Sequence, residues 1–225
     1  MFFLGGLPVL QFFQLSIDLG WFGYGLGAVF LVWLLNLYNF MDGIDGLASL
    51  QAIFVSIGGT LMYILTNASE SIWLPITLVL SVSGFLYWNF PPARIFMGDA
   101  GSGFLGIILG ILSLQAAWTN PTLLWAWLIL LGVFIVDATY TLFVRLLRGE
   151  KVYEAHRSHA YQIASRQAGS HRRVALAVVG INFVWLLPIS ALVCLGLIDG
   201  FLGVLIAYVP LTVVALRLKA GQGDT

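Results

Sequence analysis

Four amide and carboxylate side chains recur at steps of three residues where one apolar segment ends, in and just before the run NFMDGIDGLAS. They are Asn36, Asn39, Asp42 and Asp45. Side chains three apart on a helix lie near one face, so the four are predicted to form a ladder that leaves the end of a helix. The glycines between the acids let backbone or a ligand approach closely. A plain alternative is that Asp42 and Asp45 are solvated residues of a tight turn.

A second acidic segment, FPPARIFMGDAGSGFLG, carries Arg94 and Asp99. Its two prolines end the preceding helix, and Asp99 is predicted to lie just before the next helix, which we place from Gly103. A helix N-terminus is a natural site for an anion. The structural alternative is an ordinary helix start in which Ser102 serves the first turn.

Asp137 lies inside the apolar run LLGVFIVDATYTLFV. An ionisable side chain within the hydrocarbon is costly and is a functional-site hypothesis by default. At helical spacing its face continues through Thr141, Arg145 and Arg148, which favours a polar cavity that opens toward the cytoplasm. The alternative is a salt bridge or a hydrogen bond to a neighbouring helix.

The run EAHRSHAYQ places His156 and His159 three residues apart. Such a pair can bind a transition metal, but no cysteine or third histidine is close enough in sequence to complete the site, and His171 lies too far along the chain. We therefore predict that His159, with Arg157, binds a phosphate rather than zinc.

The acids of these segments define the kind of cofactor. Asp42, Asp45 and Asp99 repel one another and favour a divalent cation, and ligands that are all oxygen suit Mg²⁺, or Mn²⁺, rather than Zn²⁺. A hard cation among carboxylates and beside guanidinium groups is the apparatus of phosphoryl transfer. At a bilayer surface it would serve one substrate with an apolar tail and one from the cytosol.

The composition shows what must position these residues. Hydrophobic residues make up 60% of the chain and charged residues 9%, with a formal net charge of 0. Soluble domains carry roughly 25% charged residues, so a soluble globule is excluded, and so much apolar surface also excludes disorder. The balanced charge excludes a nucleic-acid binder. The single cysteine, Cys194, forms no internal disulfide.

The fold class predicted is an all-α polytopic membrane bundle, a single membrane domain over residues 1–225 with cytoplasmic catalytic loops. A span needs about 20 apolar residues, and seven stretches qualify: Leu19–Phe40, Leu47–Thr66, Ile72–Trp88, Gly103–Trp118, Thr122–Val144, Val174–Gly196 and Phe201–Leu216. All ten Lys and Arg residues fall on one side of this arrangement. The positive-inside rule makes that side cytoplasmic. We expect Met1–Phe13 to be a re-entrant or partial helix, because it lacks the basic region of a signal peptide.

At these residues the chain resembles the polyprenyl-phosphate N-acetylhexosamine-1-phosphate transferases, glycosyltransferase family 4, and most of all the branch that initiates O-antigen and exopolysaccharides. The family's Asn-x-x-Asp-Gly-x-Asp-Gly motif is matched from Asn39 to Gly46, and its Phe-Met-Gly-Asp-x-Gly-Ser motif from Phe96 to Ser102. Its embedded acid followed by basic residues is matched by Asp137, Arg145 and Arg148. Its histidine loop is matched in part, since His159 is followed by Tyr161 and Gln162 where further histidines often stand.

The resemblance implies transfer of a sugar 1-phosphate from a UDP-N-acetylhexosamine to undecaprenyl phosphate, with release of UMP, at the cytoplasmic face of a bacterial inner membrane. Asn39 and Asp99 would hold Mg²⁺, and Asp42, Asp45, Asp99 and His159 would be catalytic. Substrate contacts are expected from five further residues: Asn36, Arg94, Asp137, Arg145 and Arg157. A homodimer is one arrangement that the sequence leaves open.

The family also has further helices and an adjacent Asp-Asp pair upstream, and this chain has no Asp-Asp dipeptide. We therefore expect the sequence to correspond to the C-terminal two-thirds of such an enzyme. Two alternatives follow: a catalytically incomplete remnant or membrane scaffold, and a proton-coupled secondary transporter. Asp137 favours transport, whereas the loop positions of the other acids and the lack of inverted repeats oppose it.

Overall fold

The computed structural model describes residues 6–13, 15–151, 154 and 156–222. These residues form a helical bundle with one short β-hairpin, in the chain order β1 (Leu10–Phe12), β2 (Leu15–Ile17), α1 (Gly20–Met41), α2 (Leu47–Leu65), α3 (Trp73–Asn89), α4 (Gly98–Thr119), α5 (Pro121–Leu130), α6 (Gly132–Leu147), α7 (Ala160–Ala168), α8 (His171–Ile181), α9 (Leu187–Cys194) and α10 (Gly200–Arg217). A 3₁₀ turn (Ser69–Ser71) precedes α3, and a π-helical turn (Asn182–Leu186) joins α8 to α9. The all-α membrane bundle predicted from the sequence is confirmed.

Within the described residues, six helical segments are long and apolar enough to cross a membrane: α1, α2, α3 with its 3₁₀ turn, α4, the continuous stretch His171–Cys194, and α10. The seventh span was predicted as one helix over Thr122–Val144, and that continuity is wrong. The segment breaks at Leu131 into α5 and α6, whose axes differ by 69°. The pair counts as one bent span or as a re-entrant segment.

A polar contact from another helix stabilises this break. The Gln51 amide of α2 donates a hydrogen bond to the carbonyl of Leu130, at 3.1 Å, and Gln51 also accepts one from Asn182 Nδ2 at 2.6 Å. Asn182 opens the π-helical turn, so the two departures from α-helical geometry meet on one buried glutamine. A free backbone carbonyl at membrane depth has no water to bond. By bonding the Leu130 carbonyl, Gln51 removes the cost of leaving that carbonyl unpaired in a hydrophobic environment.

Helices α1 and α4 pack antiparallel in close contact because α4 presents glycines. A β-carbon at Gly106 would collide with the backbone of Leu34, and one at Gly110 would contact Leu31. Small residues allow membrane helices to approach in this way. As a result, the last turn of α1 lies beside the first turn of α4, and this juxtaposition brings together the two acidic segments of the sequence.

The N-terminal prediction of a partial helix is wrong for the residues described, while residues 1–5 lie outside them. Gly6 has φ +76° and Pro8 has no N–H to donate, so a helix does not form here. Instead β1 and β2 pair antiparallel. The Trp125 indole donates to the Gln11 carbonyl at 3.0 Å, and the Phe13 N–H donates to Asp199 at 2.8 Å. The hairpin thus caps the end of the bundle opposite the acidic segments.

Candidate functional site

The turn between α1 and α2 carries both acids of the DGIDG run. Gly46 precedes α2 with φ +75°, a left-handed conformation that glycine adopts without a steric cost. Its N–H donates to Asn89 Oδ1 at 3.1 Å. Asn89, only 3% exposed, also accepts from Ser49 and donates to the Ile95 carbonyl at 3.0 Å. Asn89 therefore ties the turn to the Pro-Pro segment after α3.

Asp45 has both carboxylate oxygens engaged. Its Oδ2 accepts a hydrogen bond from the Ala93 N–H at 3.0 Å, and its Oδ1 lies 3.2 Å from Nδ1 of His171. His171 is far from the acids along the chain and was not predicted to join them, but α8 begins at that residue and returns it to the turn. The site thus includes two residues that sequence reasoning missed, Asn89 and His171. The one available signal was an asparagine at the end of an apolar run, two residues before the pair Pro91 and Pro92.

Asp99 lies in the first turn of α4, which begins at Gly98 and not at the predicted Gly103. The structural alternative of a helix start served by Ser102 does not hold, because Ser102 lies one turn inside the helix and its hydroxyl is 3.1 Å from the Gly98 carbonyl oxygen. The same hydroxyl lies 3.4 Å from Asn39 Oδ1. The close α1–α4 packing therefore places the Asn39 amide beside the helix turn that holds Asp99.

Asp42 and Asp99 interact electrostatically. Burial of Asp42, together with the negative charge of Asp99, raises the pKa of the Asp42 carboxyl to about 7. Near neutral pH the Asp42 carboxyl is therefore about half protonated, because burial and a neighbouring like charge disfavour its charged form. A site that holds two repelling carboxylates is one that a divalent cation would stabilise.

The predicted cluster of three metal-binding acids does not form as such. Among the described residues, no three His, Cys, Asp or Glu side chains are placed to hold one metal ion, since Asp45 turns to Ala93 and His171. Mg²⁺ commonly takes only one or two carboxylates and completes its shell with water and substrate phosphates. Asn39, Asp42 and Asp99 supply oxygen donors of that kind, so the residues present fit this cation.

Asp137 is buried, and its contacts are those of the structural alternative. Its carboxylate accepts hydrogen bonds from the backbone N–H groups of Ala160 and Tyr161, each at 2.9 Å, and from the Thr141 hydroxyl. It also lies 3.2 Å from Nδ1 of His159. The cavity of about 570 Å³ that Asp137 borders is lined mainly by aliphatic side chains, so it is not the polar cavity we predicted. Asp137 holds the start of α7 and orients His159.

His159 joins this network to the end of α1. Its ring is 2% exposed and stacks on His156 and Phe40, with centroids 4.8 and 6.2 Å apart. The Tyr161 hydroxyl donates to the Phe40 carbonyl at 2.9 Å. A β-carbon at Gly43 would overlap that hydroxyl, which explains why the first Asp of the turn is followed by glycine.

The remaining predicted substrate contacts are spread more widely. Arg145 is buried and turned to its own loop, where it pairs with Glu150 at 2.9 Å and donates to two backbone carbonyls. The Arg145 guanidinium therefore does not extend the polar face of Asp137, contrary to our prediction. Arg94 stacks over Trp88, 5.6 Å from the ring centroid, and the Arg157 side chain is exposed. Asn36 donates to the Val32 carbonyl and borders an apolar groove.

Fold and site together define a polytopic helical membrane protein that gathers acids, amides and histidines at one end of its bundle. Residues 1–117 match the profile of glycosyl transferase family 4. The chain belongs to this family.

Three similar proteins illustrate the relationship. The chain is 35% identical to the probable undecaprenyl-phosphate N-acetylglucosaminyl 1-phosphate transferase of Bacillus subtilis, over 82% of this chain and 51% of that protein. It is 34% identical to the phospho-N-acetylmuramoyl-pentapeptide-transferase of Kosmotoga olearia, over 67% and 46%. For the Halalkalibacterium halodurans protein of the same name the identity is 31%, over 77% and 53%. The chain spans about half the length of these relatives.

Proposed function

We propose that this protein transfers an N-acetylhexosamine 1-phosphate from a UDP-sugar to undecaprenyl phosphate. A lipid phosphate oxygen forms a bond to the sugar-linked phosphorus of the UDP-sugar, the bond from that phosphorus to the bridging oxygen breaks, and UMP leaves. The observation that carries the proposal is the pairing of Asp42 with Asp99 beside Asn39, where burial and the charge of Asp99 raise the pKa of the Asp42 carboxyl to about 7. The similarity to two kinds of lipid-linked sugar-phosphate transferase supports it.

Asn39 and Asp99, with Asp42, would hold Mg²⁺ or Mn²⁺ at this site. When bound, the cation neutralises charge on the diphosphate as the bond breaks. Asp42 and Asp99 set the negative charge that the cation balances. His159, oriented by Asp137, would steady a phosphate with the exposed Arg157.

The lipid substrate would reach the site along α1. An apolar groove of about 490 Å³ lies between α1 and α6, lined by Ala28, Val29, Val32, Trp33, Asn36, Phe40 and Leu142. Phe40 stacks on His159 and lies two residues from Asp42, so the groove leads to the acidic site. A prenyl chain in this groove would bring its phosphate toward the residues that bind the diphosphate.

The positions of the charges support a biological setting. All ten Lys and Arg residues lie in the sequence segments at the acidic end of the bundle, which by the positive-inside rule faces the cytoplasm, where UDP-sugars are available. We assign the protein to the bacterial inner membrane and to the first step of a surface polysaccharide such as an O-antigen.

Replacing Asp99 tests the function directly. In membranes that contain the complete protein, Asp99→Asn is expected to lower Mg²⁺-dependent UMP release at least 100-fold, since removing a charge-stabilising group costs about 10²–10³ in rate. Glu70→Gln is the matched control, because Glu70 is an exposed residue of the 3₁₀ turn at the opposite end of the bundle. Undiminished release in Asp99→Asn would refute the proposal.

A further inference from the structure

His171 bridges two parts of the chain that lie 126 residues apart. It is the first residue of α8, and its Nδ1 lies 3.2 Å from Asp45 Oδ1 and 3.4 Å from the Asp45 backbone nitrogen. A single ring nitrogen either donates or accepts, so the two contacts belong to different forms of the imidazole. With Nδ1 protonated the ring binds the carboxylate; with Nδ1 unprotonated it accepts from the N–H. In either form His171 holds the same residue.

The other oxygen of Asp45 is fixed as well. It accepts a hydrogen bond from the Ala93 N–H at 3.0 Å, and the Asp45 side chain is only 19% exposed. Asp45 thus joins the turn after α1, the Pro-Pro segment after α3 and the N-terminus of α8. With both oxygens engaged, the Asp45 carboxylate is held in place between these segments.

The three joined segments line one polar cleft of about 590 Å³. Asp45 and His171 lie in its wall, with Pro91 and Pro92 on one side and the basic residues Arg166 and Arg172 on the other. Arg172 is itself placed by a cation–π contact with Phe90, 5.7 Å from the ring centroid. The width of the cleft is therefore set where His171 contacts Asp45.

We infer that His171 is a positioning residue that clamps Asp45, and that this clamp fixes the basic wall of the cleft relative to the Asp42–Asp99 site. The inference rests on the proposed function, since it assigns the clamp to the binding of the UDP-sugar. The clamp holds residues that receive the nucleotide sugar and touches none of the reacting atoms. Its loss is therefore expected to weaken substrate binding more than it slows turnover.

Three variants of the complete protein, assayed in membranes with UDP-N-acetylglucosamine and undecaprenyl phosphate, test this inference. His171→Ala removes the contact and is expected to raise KM for the UDP-sugar at least about tenfold, with kcat changed less than about threefold, because a hydrogen bond to a charged group is worth about 1.5–3 kcal/mol. His171→Asn restores KM to near the wild-type value, since its amide both donates and accepts. Gln167→Ala is the matched control, because Gln167 is exposed on α7 and does not line the cleft.

The coupling between the two residues supplies a second readout. If the clamp acts through Asp45, the double variant His171→Ala with Asp45→Asn should be no worse than Asp45→Asn alone. Independent losses in the double variant, or an equal fall in kcat for His171→Ala and His171→Asn, would contradict a positioning role.

Hydrogen exchange separates failure of the clamp from failure of the proposed function. The Ala93 amide should exchange faster in His171→Ala than in the wild type, and should be protected again in His171→Asn. Wild-type protein that releases no UMP would refute the transferase function. The exchange rate of the Ala93 amide would then show by itself whether His171 holds Asp45 in place. Unchanged Ala93 exchange in His171→Ala would overturn the clamp whatever the activity.

Discussion

At the scale of single residues, the site depends on how closely Tyr161 approaches the DGIDG turn. Its hydroxyl bonds to the Phe40 carbonyl and occupies the space that a β-carbon on Gly43 would need. Tyr161 stands at a position where the sequence resemblance led us to expect another histidine. The structure gives it a role in holding the turn, which neither propensity nor motif matching could have supplied.

Gly43→Ala is therefore expected to displace either Tyr161 or the Asp42 turn. Overpacking of this kind costs about 1–3 kcal/mol, so transfer activity should fall by about tenfold or more. Tyr161→Phe removes the obstructing hydroxyl and should restore much of the activity in the double variant. Radiolabel transfer to lipid by the four proteins measures this, and a double variant no better than Gly43→Ala would exclude the contact as the cause.

The pKa of Asp42 predicts how the binding of the cation depends on pH. Burial and Asp99 raise it to about 7, so below that pH the carboxyl is mostly neutral and above it mostly charged. A cation binds the charged form, hence the Mg²⁺ concentration for half-maximal activity should fall as the pH rises from 6 to 7 and level off above 8. Kinetics at each pH measure it. Asp42→Asn should abolish that dependence; a variant that retains it would show that another group titrates.

At the scale of helices, the bundle is organised around places where helices are irregular. Gln51 satisfies the carbonyl freed by the α5–α6 break and also bonds Asn182 of the π-helical turn. Long apolar runs let the sequence predict where helices cross the membrane. The break could not be predicted, because it depends on a glutamine in a different helix, and no proline marks it.

Replacing Gln51 should destabilise this arrangement. Gln51→Leu leaves the Leu130 carbonyl and the Asn182 amide without partners, which costs about 1–3 kcal/mol. The apparent unfolding temperature in detergent should fall by several degrees, while Gln115→Leu, an exposed glutamine on α4, should leave it nearly unchanged. Equal unfolding temperatures for the two variants would show that the buried contact contributes little.

At the scale of the whole molecule, the alternation of spans collects the chemistry at one end. The acids of separate segments follow or precede long apolar runs, and an even number of crossings between two segments, such as α2 and α3 between Asp42 and Asp99, returns the chain to the same face. The sequence therefore predicted that Asn39, Asp42 and Asp99 lie close together, and the structure agrees. His171, Asn89 and the N-terminal hairpin were missed, because their contacts depend on which helices become neighbours.

This sidedness can be measured with cysteine labelling. The sequence has one cysteine, Cys194, so single reporters are introduced in a Cys194→Ser background. Glu70→Cys should react with a membrane-impermeant maleimide in intact spheroplasts, whereas Arg157→Cys should react only after the membrane is permeabilised. The reverse pattern would place the acidic site outside the cell, away from its proposed substrate.

The transfer of a phosphosugar, rather than of a sugar alone, is the claim on which the whole account depends. UDP-N-acetylglucosamine labelled with ³²P in its β-phosphate tests it in one assay, with undecaprenyl phosphate, Mg²⁺ and membranes that contain the complete protein. The account predicts that the label moves to the lipid fraction, with one unlabelled UMP released for each labelled lipid formed. Label that stays in the aqueous phase as UDP, or as uncleaved substrate, would contradict it.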